Sequence, residues 1–116
     1  MPRSIIITGC SSGIGLYVAN ALSQKGYRVF ATARKHQDVA RLKQQGLESE
    51  QLDLGNSVSI RNAVSNILEK TNGQIYGLFN NGAYGQPGAV EDLSRHALRE
   101  QFETNLFGTH ELTNLL

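Results

Sequence analysis

The 116-residue sequence has no tryptophan, one cysteine, one methionine and two prolines. A single cysteine, Cys10, excludes an internal disulfide and a cysteine metal cluster, and it fits a reducing compartment. His36, His96 and His110 show no ligand spacing, so no metal site is expected. An excess of one charge sign is missing as well. The formal net charge is +1 with no basic stripe, which leaves nucleic-acid binding without support. There is no long apolar run either. Ile5-Ile6-Ile7 is too short for a signal peptide or a membrane span, so the expectation is a cytoplasmic protein with no membrane partner. What remains, 40% apolar and 18% charged residues, suits one small soluble domain, residues 1–116, without repeats or a linker.

Glycine, in contrast, is plentiful and placed. The chain is organised around residues 5–15, Ile5-Ile6-Ile7-Thr8-Gly9-Cys10-Ser11-Ser12-Gly13-Ile14-Gly15. A β-branched run ends in a turn of small residues, and a helical pattern follows with Ile14, Val18, Ala21 and Leu22 on one face. Gly9 lets the chain turn sharply out of the strand. Gly13 leaves room where a helix N-terminus meets a phosphate, so valine there is expected to block binding with little loss of fold. Gly15 lets the first helical turn pack closely. Free N–H groups and the positive helix end favour an anion, and Ser11 and Ser12 add hydroxyls. Cys10, beside that helix start, is expected to be a filler whose pKa the helix could lower.

The rest of the chain alternates in the same way. Strands are expected over 4–8, 28–33, 48–52 and 75–80, and helices over 13–25, 37–45, from Asn56 or Ser57 to Asn72-Gly73, and from Ser94 onward. Alternation of this kind predicts an α/β fold of Rossmann type: a doubly wound parallel sheet with strand order 3-2-1-4.

The spacing Thr-Gly-x-x-x-Gly-x-Gly at 8–15 resembles the glycine motif of the short-chain dehydrogenase/reductase family. Matches further along extend the resemblance over the whole chain. Arg34 stands just past the second strand with no acid beside it, where a guanidinium suits a 2′-phosphate by bidentate bonding; in the family this goes with NADP(H) preferred over NAD(H). A solvated pair of cations, Arg34 and Lys35, is the plain alternative. Asp53 ends the third strand, and the resemblance implies that its carboxylate bonds the adenine amino group while Leu54 lends its backbone; a turn or helix-cap aspartate would look the same. Asn80-Asn81-Gly82-Ala83 stands where the family usually has Asn-Asn-Ala-Gly. The amides would tie strand ends together and bond a ribose, and Gly82 would admit the cofactor, although an Asx-rich turn explains them too. Asn105, in Asn105-Leu106-Phe107-Gly108, matches the family's catalytic asparagine, which holds a water and bends its helix.

The family's general acid, a tyrosine in Tyr-x-x-x-Lys with an upstream serine, is missing: four residues beyond Tyr17, Tyr27, Tyr76 and Tyr84 stand Ala21, Ala31, Asn80 and Gly88. The resemblance therefore implies the cofactor-binding portion of an NADP-dependent oxidoreductase, truncated before its proton-transfer residues and inactive alone. Reversible hydride transfer between the nicotinamide and a small carbonyl or alcohol substrate would belong to a longer, homo-oligomeric protein. Residues 84–88 look like the corresponding loop of members acting on steroids, retinoids or aldehydes. The alternative is a finished, non-catalytic NADP-binding or interaction module. With the fourth strand on an open edge, some of Leu98, Phe102, Leu106, Phe107 and Leu112 are expected to be exposed, making the chain prone to self-association.

Overall fold

A strand that is apolar on both faces has to be covered twice, and β2, Arg28–Ala33, is such a strand, with five of its six residues buried. The computed structural model describes residues 2–116 and covers β2 on both sides. β2 lies in a four-stranded parallel sheet with β1 (Ser4–Ile7), β3 (Glu48–Gln51) and β4 (Gly77–Phe79), in the order β3-β2-β1-β4. Ile5, Ile6 and Ile7 pair with Val29, Phe30 and Ala31 on one side and with Gly77, Leu78 and Phe79 on the other.

Side chains alternate across the sheet, so each strand feeds two cores. Ile7, Val29, Ala31 and Ala33 face α1 (Gly13–Gln24) and α2 (His36–Gln44) and pack with Ala19, Val39 and Leu42. Ile6 and Phe30 face the other way, against Ile67 of α3 (Ser57–Thr71). Beside them Leu52, Leu54, Ile60 and Val64 enclose Leu112 of α5 (Thr109–Leu115). Burying each of these large side chains contributes about 1.5–3 kcal/mol.

The helix ends follow local chemistry. Asn56 caps α3 by accepting from Val58 N (3.0 Å) and Ser59 N (3.2 Å), and Asn72 closes it in the left-handed region at φ +54°. Ser94 caps α4 (Arg95–Phe102) by accepting from Ala97 N at 3.1 Å. At the N-terminal edge of the sheet Arg28 grips Glu48 through Nε (2.7 Å) and Nη2 (2.8 Å), which holds the Glu48 carboxyl below its ordinary range.

Two expectations need correction. β4 spans three residues rather than 75–80, because only Gly77, Leu78 and Phe79 find partners on β1. Ile14 lies 68% exposed, since α1 begins beyond the strand ends where nothing covers it; Gly15 and Ala19 are the buried residues of α1. As expected, some of the apolar residues from Leu98 onward are exposed: Leu98, Phe102, Leu106 and Phe107 are, whereas Leu112 is fully enclosed against α3. Around Asn105, where an irregular helix was expected, a π-helical segment, Glu103–Gly108, joins α4 to α5.

Candidate functional site

The carboxyl ends of the strands open onto a cleft of about 260 Å³, and the turns after β1, β2, β3 and β4 all reach it. Such a crevice is where open parallel sheets take ligands. The first turn is built from Thr8 and Gly9. Thr8 is 1% exposed, and its Oγ1 accepts from Asn81 N (3.0 Å) and Gly82 N (2.7 Å), locking the turn after β4 to the end of β1. Asn81 answers by donating Nδ2 to the carbonyls of Thr8 and Gly9, both at 3.2 Å.

Gly9 sits at φ +69°, and a Cβ there would lie 2.8 Å from Gly82 Cα, so glycine is required twice over. Gly15 has the same steric reason: a Cβ would run into the Gly9 carbonyl oxygen and lie 2.7 Å from Asn81 Nδ2. Gly13 differs. A Cβ there would meet nothing within 4 Å, so the space before α1 is open, but the backbone stands at φ +62°. The expectation that valine is harmless to the fold there is therefore corrected: a β-branched residue in that region costs about 1–2 kcal/mol.

Ser12 occupies the N-cap position of α1 yet forms no side-chain cap, and no acidic residue lies in the first turn. The helix start thus keeps N–H groups and a positive end facing open space, which suits an anion. Ser11 lines the cleft. Cys10 points the other way, fully buried, with Sγ donating to Ile7 O at 3.2 Å. Burial pushes its thiol up to about 11, against the lowering suggested by the helix start; desolvation outweighs a backbone hydrogen bond from Thr32. A thiol reagent at pH 8 is expected to leave the native chain unlabelled and to react fully in denaturant; rapid native labelling would refute the buried, protonated assignment.

Arg34 follows β2 at the cleft and is exposed; among the described residues its guanidinium has no carboxylate partner. Asp53 and Leu54 follow β3. Asn56 caps α3, so Asp53 is not the cap: its Oδ1 accepts from Gly55 N (2.9 Å) and its N–H donates to Ser59 Oγ (2.9 Å), leaving Oδ2 with no protein donor among the described residues. Gly82 lines the cleft, and a Cβ there would crowd Thr8 Oγ1 at 3.0 Å and Leu54 Cδ1 at 3.1 Å. Asn80 is turned outward and donates Nδ2 to Thr113 Oγ1 at 3.2 Å, so the two adjacent amides serve the scaffold in different ways.

Asn105 lies on the π-helical segment. Its Oδ1 accepts from Tyr84 N (3.0 Å) and its Nδ2 donates to Tyr84 O (2.6 Å), clamping the loop after β4 from both sides. The cleft thus brings together Gly9, Ser11, Arg34, Asp53, Leu54 and Gly82, with Ser12, Gly13 and Ile14 at the adjoining helix start. Thr8, Leu52, Tyr84 and Thr104 also belong to it and were not singled out from the sequence. Thr8 carried a usable signal, as the residue opening the glycine motif; Thr104 reaches the cleft only through packing.

A parallel sheet in the order β3-β2-β1-β4, covered by helices on both faces and opening with a glycine turn, defines an α/β protein of Rossmann type. More narrowly, the chain belongs to the short chain dehydrogenase family, whose model matches residues 3–116. It is 40% identical over 113 residues to an uncharacterized oxidoreductase, YbbO, of Escherichia coli strain K12, a match covering 97% of this chain and 42% of YbbO. Among solved structures, a short-chain dehydrogenase from Streptomyces avermitilis is 30% identical with a TM-score of 0.90, covering 99% of this chain and 43% of that one. A variant of actinorhodin polyketide ketoreductase solved with NADPH is 29% identical with a TM-score of 0.86, covering 98% of this chain and 46% of that one. The chain therefore spans somewhat under half the length of these relatives.

Proposed function

We propose that the chain binds NADP(H) in this cleft, and that a longer protein built on it catalyses reversible hydride transfer between the nicotinamide and a carbonyl or alcohol substrate. One observation carries the reading: an arginine that has no carboxylate partner among the described residues lines the crevice, and a helix start without a side-chain cap adjoins it through Ser11. The residues fit the cofactor in shape and charge. The N–H groups around Ser11, Ser12, Gly13, Ile14 and Gly15 would hold the pyrophosphate, and Gly9 and Gly82 keep the floor bare. Arg34 would take the 2′-phosphate bidentately, which favours NADP(H) over NAD(H). Oδ2 of Asp53 would accept from the adenine amino group with the Leu54 backbone beside it. Asn80 and Asn81 shape the turn next to the ribose.

When bound, the nicotinamide gives or takes the hydride. A proton must then be exchanged at the substrate oxygen, and the sequence offers no Tyr-x-x-x-Lys to do so. Asn105 is the one member of the family's catalytic set with a counterpart in this sequence, and its grip on Tyr84 fixes the loop beside the cleft. The 116 residues alone are accordingly expected to bind the cofactor and to show no turnover. Calorimetric titration should give tighter binding of NADPH than NADH, and NADPH should stay unoxidised with a panel of aldehydes and ketones. Equal affinities would refute the NADP assignment; sustained oxidation by pure chain would refute the missing-acid argument.

A cytoplasmic, homo-oligomeric parent protein completes the proposal. Among the described residues no helix is long and apolar enough to cross a membrane. Leu98, Phe102, Leu106 and Phe107 form an exposed apolar face on α4 and the π-helical segment, which favours self-association. Sedimentation equilibrium is expected to show mass rising with concentration, and a strict monomer at every concentration would remove that support.

A further inference from the structure

We propose that Tyr84 is a purine-contacting residue of the cleft, held in place by the amide of Asn105. The inference deepens the cofactor reading and rests on it. The cleft at the strand ends does not stop at Thr104. It runs into a second recess between the turn after β3 and α4, and Arg34, Asp53, Tyr84 and Thr104 line both. Among the described residues Tyr84 is the only aromatic one lining either, and it is 38% exposed.

Its position is not left to the loop. The paired hydrogen bonds from Asn105 Oδ1 and Nδ2, at 3.0 and 2.6 Å, fix both backbone polar groups of Tyr84. A loop residue clamped in this way carries its ring with little remaining backbone freedom, which lowers the ordering cost of a stacking contact. Beside Arg34 and Thr104, the cleft wall near Asp53 is aliphatic, from Leu52 and Leu54, and small, from Gly82 and Ala83. Among the described residues lining the cleft, Tyr84 is therefore the one that carries an aromatic face for a flat heteroaromatic base next to the free Oδ2 of Asp53, the planar guanidinium of Arg34 being committed to the 2′-phosphate in this reading. Sequence discrimination is not needed for such a contact, because every purine has a face to stack.

The test uses the full 116-residue chain and two probes: adenosine 2′,5′-bisphosphate, which carries the base, and inorganic pyrophosphate, which does not. Tyr84→Leu should weaken adenosine 2′,5′-bisphosphate about five- to twentyfold, the range of a base–aromatic stack on a partly open site. Tyr84→Phe should keep wild-type affinity, and pyrophosphate binding should be the same in all three proteins. The absence of tryptophan leaves tyrosine emission unmasked, so the bisphosphate should quench the wild-type and not the Tyr84→Leu chain beyond the residual from the other tyrosines.

If Tyr84→Leu binds the bisphosphate like wild type, or if pyrophosphate falls in parallel, the stacking assignment is overturned. In that case the cofactor reading stands, provided that wild type still binds the bisphosphate and Arg34→Asp weakens it. If wild type binds neither probe, both fall.

Discussion

Replacing Gly108 by alanine is expected to lower the melting temperature by about 10 °C. Gly108 is buried at the end of the π-helical segment, and a Cβ built on it would land on the carbonyl oxygen of Leu54. That oxygen is backbone, and the turn that carries it is tied down by Asp53 N–H to Ser59 Oγ (2.9 Å) and by Gly55 N–H to Asp53 Oδ1 (2.9 Å). Something has to give: either α5 lifts and Leu112 loses its cover on α3, or the Asp53–Leu54 turn shifts. Overpacking of this kind costs about 3 kcal/mol at its upper end. For a domain of this size each kcal/mol moves the melting point by about 4 °C. Gly85→Ala is the control, since a Cβ there meets nothing within 4 Å and the backbone needs no positive φ. A Gly108→Ala melt that coincides with wild type, or a Gly85→Ala loss of equal size, would refute the packing argument.

Arg34→Asp is expected to abolish the preference for NADPH and to weaken it by about 10- to 150-fold. A charge-assisted hydrogen bond contributes about 1.5–3 kcal/mol, and each 1.4 kcal/mol is tenfold in affinity. The aspartate adds repulsion toward the 2′-phosphate. NADH has no group there, so its affinity should hold or improve through the ribose hydroxyl. The fold should be indifferent: Arg34 is exposed, and only its backbone carbonyl serves the scaffold, accepting from Gln51 Nε2 at 2.9 Å. Titration of both cofactors against both proteins checks this. A parallel loss for NADPH and NADH would mean that Arg34 acts on something the two share.

Much of this architecture was legible from residue order. A β-branched strand, a glycine turn and a helical repeat state a βα unit because each is a local preference of the backbone. Alternation of such units leaves few sheets to choose from, and the strand order 3-2-1-4 came out as expected. The Ser94 cap was readable for the same reason, since it bonds an N–H group three residues away, whereas the α3 cap, left open between neighbouring residues, fell to Asn56.

Residue order did not say where the amides point. Asn80 and Asn81 are neighbours with the same side chain, yet one bonds Thr113 and the other bonds Thr8 and Gly9. The glycine jobs were read in part: the sharp turn at Gly9 and the close packing at Gly15 agree with the geometry, whereas the positive φ that Gly13 needs was not foreseen. Cys10 shows the limit most clearly. Proximity to a helix start argues for a lower pKa, but the side chain turns into the core, and burial prevails.

By itself, then, the sequence determined the order of strands and helices, the glycine turn after the first strand and the arginine after the second with no acid beside it. All of these are written in residues a few positions apart. The tertiary structure decided what joins distant positions: Thr8 to Gly82, Asn105 to Tyr84 and Gly108 to Leu54. Those contacts depend on how closely two backbones approach and on which face a side chain leaves, and local preferences carry no record of either.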